Sequence, residues 1–221
     1  MHGPLALVGG GEWQEGCSFD RDLLAASGAE EVLVLPTAAA YEHPERAVET
    51  AQTWFAGLGA KVRGLMVLAR PAAELAANAA AIRDARFIYL SGGSPLHLRS
   101  VLKDSAAWDA LCQAWQGGAV LAGSSAGAMA LCDPMVDPRG GAFTRGLGLL
   151  AQVAIIPHHN TWSEEKAKRT ITLAPKGLPI VGIDERTALI RSVDHGWSVA
   201  GVGGVVVFQN GHQAGLEALP T

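Results

Sequence analysis

Residues 119–131 of this chain read AVLAGSSAGAMAL. The apolar start predicts a buried strand, the glycine-serine block a tight turn, and the alanine-rich end a helix. Ser125 is the centre of a G-x-S-x-G pattern, in which Gly123 and Gly127 would let strand and helix pass closely. The new helix would direct its N-terminal N–H groups toward the serine and favour an oxyanion there. The stretch predicts a hydrolase nucleophile, with a Gly- and Ala-rich packing junction in a buried turn as the alternative.

The sequence before this turn alternates short apolar runs with stretches of helical period. Continuous apolar strands separated by helices are typical of a parallel sheet that is covered on both faces. The segments are 4–8, 19–27, 32–35, 44–58, 62–68, 71–85, 87–90, 95–103, 106–116 and 119–122. We therefore predict an α/β fold, with a doubly wound, mostly parallel sheet and helices on both faces.

The sequence after residue 131 changes character. Residues 132–150, CDPMVDPRGGAFTRGLGLL, predict a loop, residues 153–156 a strand and residues 163–173 a helix. The last third is rich in short β-branched runs, at 180–183, 187–191, 197–202 and 205–209, which predict hairpins at a β-rich sheet edge. No repeat or linker divides the sequence, so residues 1–221 are expected to form a single domain.

Composition narrows the functional classes. Of the 221 residues 49% are hydrophobic, enough for one sizeable core, and the formal charge of −4 is scattered, so no nucleic-acid partner is expected. Cys17, Cys112 and Cys132 lack the spacing of a redox or zinc site, which favours a reducing compartment. The N-terminal residues have neither a positive region nor a long apolar run, so no membrane association is expected. The predicted location is cytoplasmic.

A serine nucleophile needs a general base, and two of the seven histidines stand where one is expected. His158 and His159 directly follow the strand predicted at 153–156, and open α/β sheets build their sites at such strand ends. Paired histidines could also bind metal, but nothing nearby completes a ligand set, so neither a metal nor another cofactor is expected. The base also needs an acid to orient it, and position in the sequence does not distinguish between Glu185, Asp133 and Asp137 for this role.

A second glycine turn could complete an oxyanion hole. In FIYLSGGSPLHL, residues 87–98, Gly92 and Gly93 follow a predicted strand. Their N–H groups, together with that of Ala126 after the nucleophile, are the candidate donors. An ordinary turn between strand and helix is the alternative.

Several stretches share an order with a known family. They are LALVGGGEW at the start, IYLSGGSPLHL, GSSAGAMAL, GLGLLAQVAIIPHHN, VGIDERTALI and VAGVGGVVVF. In this order they resemble the serine peptidase family that contains dipeptidase E and cyanophycinase. The resemblance implies a fold similar to class I glutamine amidotransferases, with a serine as nucleophile. It also implies hydrolysis of peptide bonds next to aspartate, in dipeptides or in a β-linked aspartyl-arginine polymer.

The resemblance assigns roles to individual residues. It implies Ser125 as nucleophile, His158 as base, and Gly93 with Ala126 as oxyanion donors. Glu185 lies in a context that matches the acid of the cyanophycinase branch. Asp133 is the reserve, because the dipeptidase branch has its acid between serine and histidine.

The resemblance also bears on the substrate. Asn160 and Arg169, after the histidines, are expected to bind a small peptide substrate, with Arg169 pairing with an aspartyl carboxylate. Ser94 and Pro95 stand where cyanophycinase has Asp-Gln, and Pro157 precedes the histidine as in dipeptidase E, so the sequence favours the dipeptidase. A homodimer is suggested by analogy, and a non-catalytic amidotransferase-like binding module is the alternative from another class.

Overall fold

The computed structural model describes residues 2–220. In chain order the strands are β1 (Leu5–Val8), β2 (Glu31–Leu35), β3 (Lys61–Gly64), β4 (Phe87–Leu90), β5 (Val120–Ser124), β6 (Cys132–Asp133), β7 (Met135–Val136), β8 (Phe143–Thr144), β9 (Leu150–Ala151), β10 (Ala154–Ile156), β11 (Ile180–Ile183), β12 (Thr187–Arg191), β13 (Trp197–Gly201), β14 (Val205–Gln209) and β15 (His212–Ala214). The helices are α1 (Phe19–Ser27), α2 (Pro44–Gly57), α3 (Arg70–Ala73), α4 (Ala76–Arg83), α5 (Pro95–Leu102), α6 (Ala106–Gln116), α7 (Ala126–Leu131) and α8 (Glu164–Thr172). Short 3₁₀ turns lie at Thr37–Ala39 and Leu216–Ala218.

The main sheet has seven strands in the order β13-β12-β1-β5-β4-β2-β3. Strands β1 to β5 of this sheet pair in parallel, whereas β12 and β13 are antiparallel additions at one edge. Because β1, β5 and β4 are parallel neighbours, their carboxyl ends meet at the same edge of the sheet, next to the start of β12. The predicted α/β fold with a mostly parallel sheet is confirmed.

The central strands are buried on both faces. In β1, Leu5 and Leu7 belong to one apolar cluster, and Ala6 and Val8 to a second on the opposite face. Helices α4 to α7 cover the first face, and α1 and α2 cover the second. Because both faces are covered, these strands read as continuous apolar runs and not as alternating ones. Within residues 2–220, none of the helices combines the length and the apolar character needed to cross a membrane.

Two elements are shorter than their sequence pattern predicted. The helix expected at 71–85 is two helices, α3 and α4, broken where the Asn78 amide donates to the Ala72 carbonyl at 2.8 Å. An asparagine side chain that binds the backbone in this way competes with the helical hydrogen-bond ladder. The apolar run at 62–68 forms strand only as far as Gly64, after which the Val67 N–H turns back to the Leu65 carbonyl at 2.8 Å.

The segment at 132–150 and the C-terminal strands also differ from expectation. The expected loop contains two short pairs, β6 with β9 and β7 with β8. Of the C-terminal strands in residues 2–220, the β12–β13 hairpin extends the main sheet, whereas β11, β14 and β15 join β10 in a separate four-stranded sheet. Each strand of the short pairs has two residues. A strand of this length is too short to show an alternating pattern in the sequence. The predicted β-rich C-terminal strands are therefore divided between the edge of the main sheet and the separate four-stranded sheet.

Candidate active site

Ser125 stands on a strained turn between β5 and α7. Its backbone has φ 49° and ψ −104°, a conformation that residues with side chains rarely adopt. The Ser125 N–H donates to the Val8 carbonyl at 2.9 Å, which fixes the turn against β1. A Cβ at Gly123 would lie 2.7 Å from the Gly127 carbonyl carbon, and one at Gly127 would lie 2.6 Å from the Leu90 carbonyl oxygen. The two glycines therefore allow the close passage of strand and helix that the sequence predicted.

A glycine loop after β1 holds the other side of the site. The Gly9 carbonyl accepts from the His158 N–H at 2.6 Å, and the Gly10 carbonyl accepts from the Arg186 N–H at 2.7 Å. Gly10 has φ 114°, and a Cβ there would lie 2.1 Å from Cε1 of His158. The His158 imidazole thus packs directly on the backbone of Gly10. The loop after β1 also binds the main chain of His158 and of Arg186, which directly precedes β12.

Three predicted residues form a continuous chain of hydrogen-bonding groups. His158 Nε2 lies 2.8 Å from Ser125 Oγ, and His158 Nδ1 lies 2.8 Å from Glu185 Oε1. With the proton on Nδ1, the imidazole donates to Glu185 and accepts from the serine hydroxyl. The histidine and glutamate side chains are about one-third exposed, so the site is open to a substrate. The Asn160 side chain holds the main chain of Glu185 in place, because its Oδ1 accepts the Glu185 N–H at 3.0 Å.

The other two candidate acids are engaged elsewhere. Asp133 pairs with Arg145 at 2.9 Å and accepts the Gly146 N–H at 3.1 Å. Asp137 accepts two hydrogen bonds from the Arg139 guanidinium, and these bonds lower the pKa of Asp137 to about 2. Of the three acids left open by position in the sequence, Glu185 is the one whose carboxylate reaches His158.

His159 faces away from the serine. Its Nδ1 lies 3.6 Å from Asp184 Oδ1, and its ring packs on Gly182, where a Cβ would lie 2.4 Å from the ring. Neighbouring histidines therefore pair with neighbouring acids, His158 with Glu185 and His159 with Asp184. Across residues 2–220 the structure brings together no group of three or more His, Cys, Asp and Glu side chains that could hold a metal ion.

The predicted oxyanion donors divide into one that is occupied and two that are free. The Gly92 N–H donates to Glu12 Oε1 at 2.9 Å. Gly93 has φ 132°, and a Cβ there would meet the Ala38 carbonyl at 2.3 Å, so this position requires glycine. The Gly93 N–H has no acceptor within residues 2–220. Ala126 is the first residue of α7, where the N–H has no partner in the helical ladder.

Arg169 lies on α8 with an exposed side chain that packs against Gly141, where a Cβ would lie 2.4 Å from its Nε. This contact ties Arg169 to the segment between β7 and β8. The structure joins it by no hydrogen bond to Ser125, His158 or Glu185. Its expected role in substrate binding stays a prediction.

Sequence reasoning gave no role to Gly9, Gly10 and Glu12, although these residues build one wall of the site. The available signal was the glycine triplet at 9–11 directly after an apolar strand, since glycines at a strand end indicate close approach of another backbone. The contact partner of Glu12 could not be predicted, because Gly92 is 80 residues away in the sequence.

The fold and the site together define an α/β protein with a nucleophile elbow of the serine-hydrolase kind. The model of peptidase family S51 matches residues 5–197. The chain belongs to this family.

Known relatives agree with this assignment. The cyanophycinase of Trichormus variabilis is 31% identical over 165 residues, which are 69% of this chain and 55% of that protein. The chain thus spans about half the length of the curated relatives that it matches. A solved peptidase from an acI-B1 Actinobacterium is 30% identical and superposes with a TM-score of 0.87, covering 97% of this chain and 93% of the other. A Listeria monocytogenes EGD-e protein assigned as a peptidase E shares the fold at 19% identity, with a TM-score of 0.71 and coverage of 92% and 100%.

Proposed function

We propose that this chain is a serine peptidase that hydrolyses short peptides with aspartate at the cleaved bond. The observation that carries the proposal is the contact chain from Glu185 through His158 to Ser125, with 2.8 Å at each step. A hydroxyl, an imidazole and a carboxylate in this order are the groups that acyl transfer requires. Their assembly argues against a binding module without turnover.

The proposed reaction follows from these contacts. Ser125 Oγ attacks the peptide carbonyl while His158 Nε2 accepts its proton, and Glu185 stabilises the imidazolium that results. The N–H groups of Gly93 and Ala126 would donate to the oxyanion. His158 then gives the proton to the leaving amine, and the carbonyl–nitrogen bond breaks to leave an acyl-enzyme. Water, deprotonated by the same imidazole, releases the acid product and restores the serine.

The substrate is the finer part of the proposal. An aspartyl carboxylate needs a cationic partner, and the exposed guanidinium of Arg169 is the candidate on the helix that follows the histidines. Cyanophycinase-like cleavage of β-aspartyl-arginine peptides is the second candidate. It is supported by the 31% identity to cyanophycinases, which extends over 69% of this chain.

A panel of dipeptides tests the proposal. Purified protein is incubated with Asp-Leu, Asn-Leu and β-Asp-Arg, and the released amine is followed to obtain kcat/KM. Asp-Leu should exceed Asn-Leu by about tenfold or more, because a charge-assisted bond to the carboxylate is lost in the amide. Preference for β-Asp-Arg would favour the second candidate. Activity should vanish in Ser125→Ala and persist in Ser100→Ala, an exposed serine on α5; full activity in Ser125→Ala would contradict the mechanism.

A further inference from the structure

One carboxylate joins the ends of three strands at the edge where Ser125 lies. Glu12, in the loop after β1, accepts the Gly92 N–H at 2.9 Å through Oε1. Through Oε2 it accepts the Ser124 hydroxyl at 2.7 Å. Gly92 follows β4, and Ser124 is the last residue of β5, fully buried and next to Ser125. The side chain therefore connects the glycine turn to the nucleophile elbow directly. We call these two hydrogen bonds, from Gly92 and Ser124 to Glu12, the clamp.

These two bonds select which N–H of the glycine turn is available. Gly92 lies close to the nucleophile, because a Cβ there would be 3.6 Å from Ser125 Cβ and 3.3 Å from Glu12 Oε1. Its N–H is used by Glu12, whereas the Gly93 N–H has no acceptor within residues 2–220. The carboxylate thus fixes the orientation of the turn in which Gly93 keeps its donor free.

The charge of Glu12 cannot be what helps the reaction. An anion beside Ser125 opposes the negative charge that develops on the substrate oxygen. The benefit must come from the geometry of two hydrogen bonds. A glutamine could reproduce both, because its carbonyl can accept from the Gly92 N–H while its amide donates to Ser124 Oγ.

We propose that Glu12 is a positioning residue, which holds the glycine turn against the nucleophile elbow so that Gly93 and Ala126 present the oxyanion donors together. This inference rests on the proposed function, in which Ser125 is the nucleophile. The carboxylate acts through Gly92 and Ser124 and does not touch the substrate. Loss of the clamp should therefore lower kcat and leave KM unchanged.

The test compares Glu12→Ala, Glu12→Gln and Ser124→Ala with the wild type. Two readouts need no knowledge of the natural peptide: the second-order rate of Ser125 labelling by an alkyl fluorophosphonate, and kcat for p-nitrophenyl acetate. Glu12→Ala should slow both by about 100-fold, the scale of one lost oxyanion donor. Ser124→Ala, which keeps the Gly92 bond, should have a smaller effect. Glu12→Gln should restore the rates to near the wild-type values.

Glu15→Ala is the matched control, since Glu15 is an exposed glutamate of the same loop. It should match the wild type. Wild-type rates in Glu12→Ala, or a Glu12→Gln variant as slow as Glu12→Ala, would overturn the clamp. If Glu12→Ala fails to fold, wild-type rates in Ser124→Ala together with slow rates in Glu12→Gln overturn it equally. A wild-type protein that is not labelled at all would instead refute the proposed function, and the clamp with it.

Discussion

Two regions of this molecule are built in different ways. At the strand-end edge, defined by Gly9, Gly10, Ser125, His158 and Glu185, main-chain hydrogen bonds and bare glycine backbone set the positions of Ser125 and His158, the proposed nucleophile and base. The outer surface, defined by residues 137–145 and α8, carries exposed charged side chains such as Arg139, Lys168 and Arg169. Its Asp137–Arg139 pair has an arginine that is 84% exposed.

Under the proposed function, this difference separates catalysis at the strand-end edge from substrate binding by Arg169 at the outer surface. Bonds between exposed charges contribute about 0–1 kcal/mol, so the outer surface can change its side chains at little cost in stability. The strand-end edge has no such freedom, because a single added carbon collides with backbone or with the imidazole. Substitutions at the edge should therefore abolish turnover, and substitutions at the outer surface should change substrate preference.

The largest effect should separate the two adjacent histidines. His158→Ala removes the proposed general base and should lower kcat by about 10⁶-fold. His159→Ala removes a ring that packs on Gly182 and pairs with Asp184, so it should cost less than about tenfold. Steady-state hydrolysis of the preferred dipeptide measures both. A greater loss in His159→Ala would contradict the assignment.

The next effect concerns the acid. Glu185→Gln keeps the shape of the side chain but cannot stabilise the imidazolium, so kcat should fall by about 10⁴-fold. Asp133→Asn and Asp137→Asn are the controls, since both acids bind arginines of the segment between α7 and β9. They should leave kcat within about threefold of the wild type. If either control were as damaging as Glu185→Gln, the triad would need a different acid.

The third-largest loss of kcat is expected for Gly10→Ala. The new methyl group would lie 2.1 Å from Cε1 of His158 and displace the imidazole, which should reduce kcat by about 100-fold. Gly118→Ala is the control for backbone strain, because Gly118 has φ 101° but nothing within 4 Å of its added carbon. Thermal unfolding should show destabilisation in both variants, at least as large in Gly10→Ala because of the added clash, and only Gly10→Ala should lose activity. Equal activities would mean that the imidazole tolerates the methyl group.

The outer surface should respond more weakly. Arg169→Gln should raise KM for Asp-Leu by about tenfold, the effect of one lost charge-assisted bond, with kcat nearly unchanged. Lys168→Gln, at an exposed neighbouring position on α8, should leave KM unaltered. Identical KM values in the two variants would remove Arg169 from the substrate site. The chemistry of the strand-end edge would be unaffected by that result.

A last prediction concerns stability and not turnover. Asp20 on α1 is fully buried, and this burial raises its pKa to about 8, although Trp54 Nε1 donates to it at 2.9 Å. In the unfolded chain the pKa is about 3.9, so the folded protein holds an extra proton between the two values and loses stability as pH rises through them.

Asp20→Asn removes this titration. Between pH 5 and pH 9 (about the range that spans the raised value) the Tm of the wild type should fall relative to that of Asp20→Asn. Asp22→Asn, an exposed position on the same helix, should follow the wild type. Parallel Tm curves for wild type and Asp20→Asn would show that Asp20 does not hold the extra proton.

The sequence predicted a feature correctly where all the residues that determine it lie close together in the chain. The strand-turn-helix around Ser125 has all its determinants within residues 119–131, and the fold predicted from the same kind of pattern is confirmed. The break between α3 and α4 could not be predicted from periodicity, and it is spanned by a side-chain bond from Asn78 to the Ala72 carbonyl. The same holds for Glu12 and Gly92, which residue types alone could not pair. Position in the sequence likewise left three acids open; the family resemblance favoured Glu185, and the contact of Glu185 with His158 supports that choice.

The central claim is that His158 activates Ser125 for nucleophilic attack. The most direct measurement is fluorophosphonate labelling of the wild type and of His158→Ala, with the modified residue located by tandem mass spectrometry. The claim predicts a single adduct on Ser125 in the wild type and none in His158→Ala over the same time. An adduct on another residue, or equal labelling of Ser125 in both proteins, would contradict it.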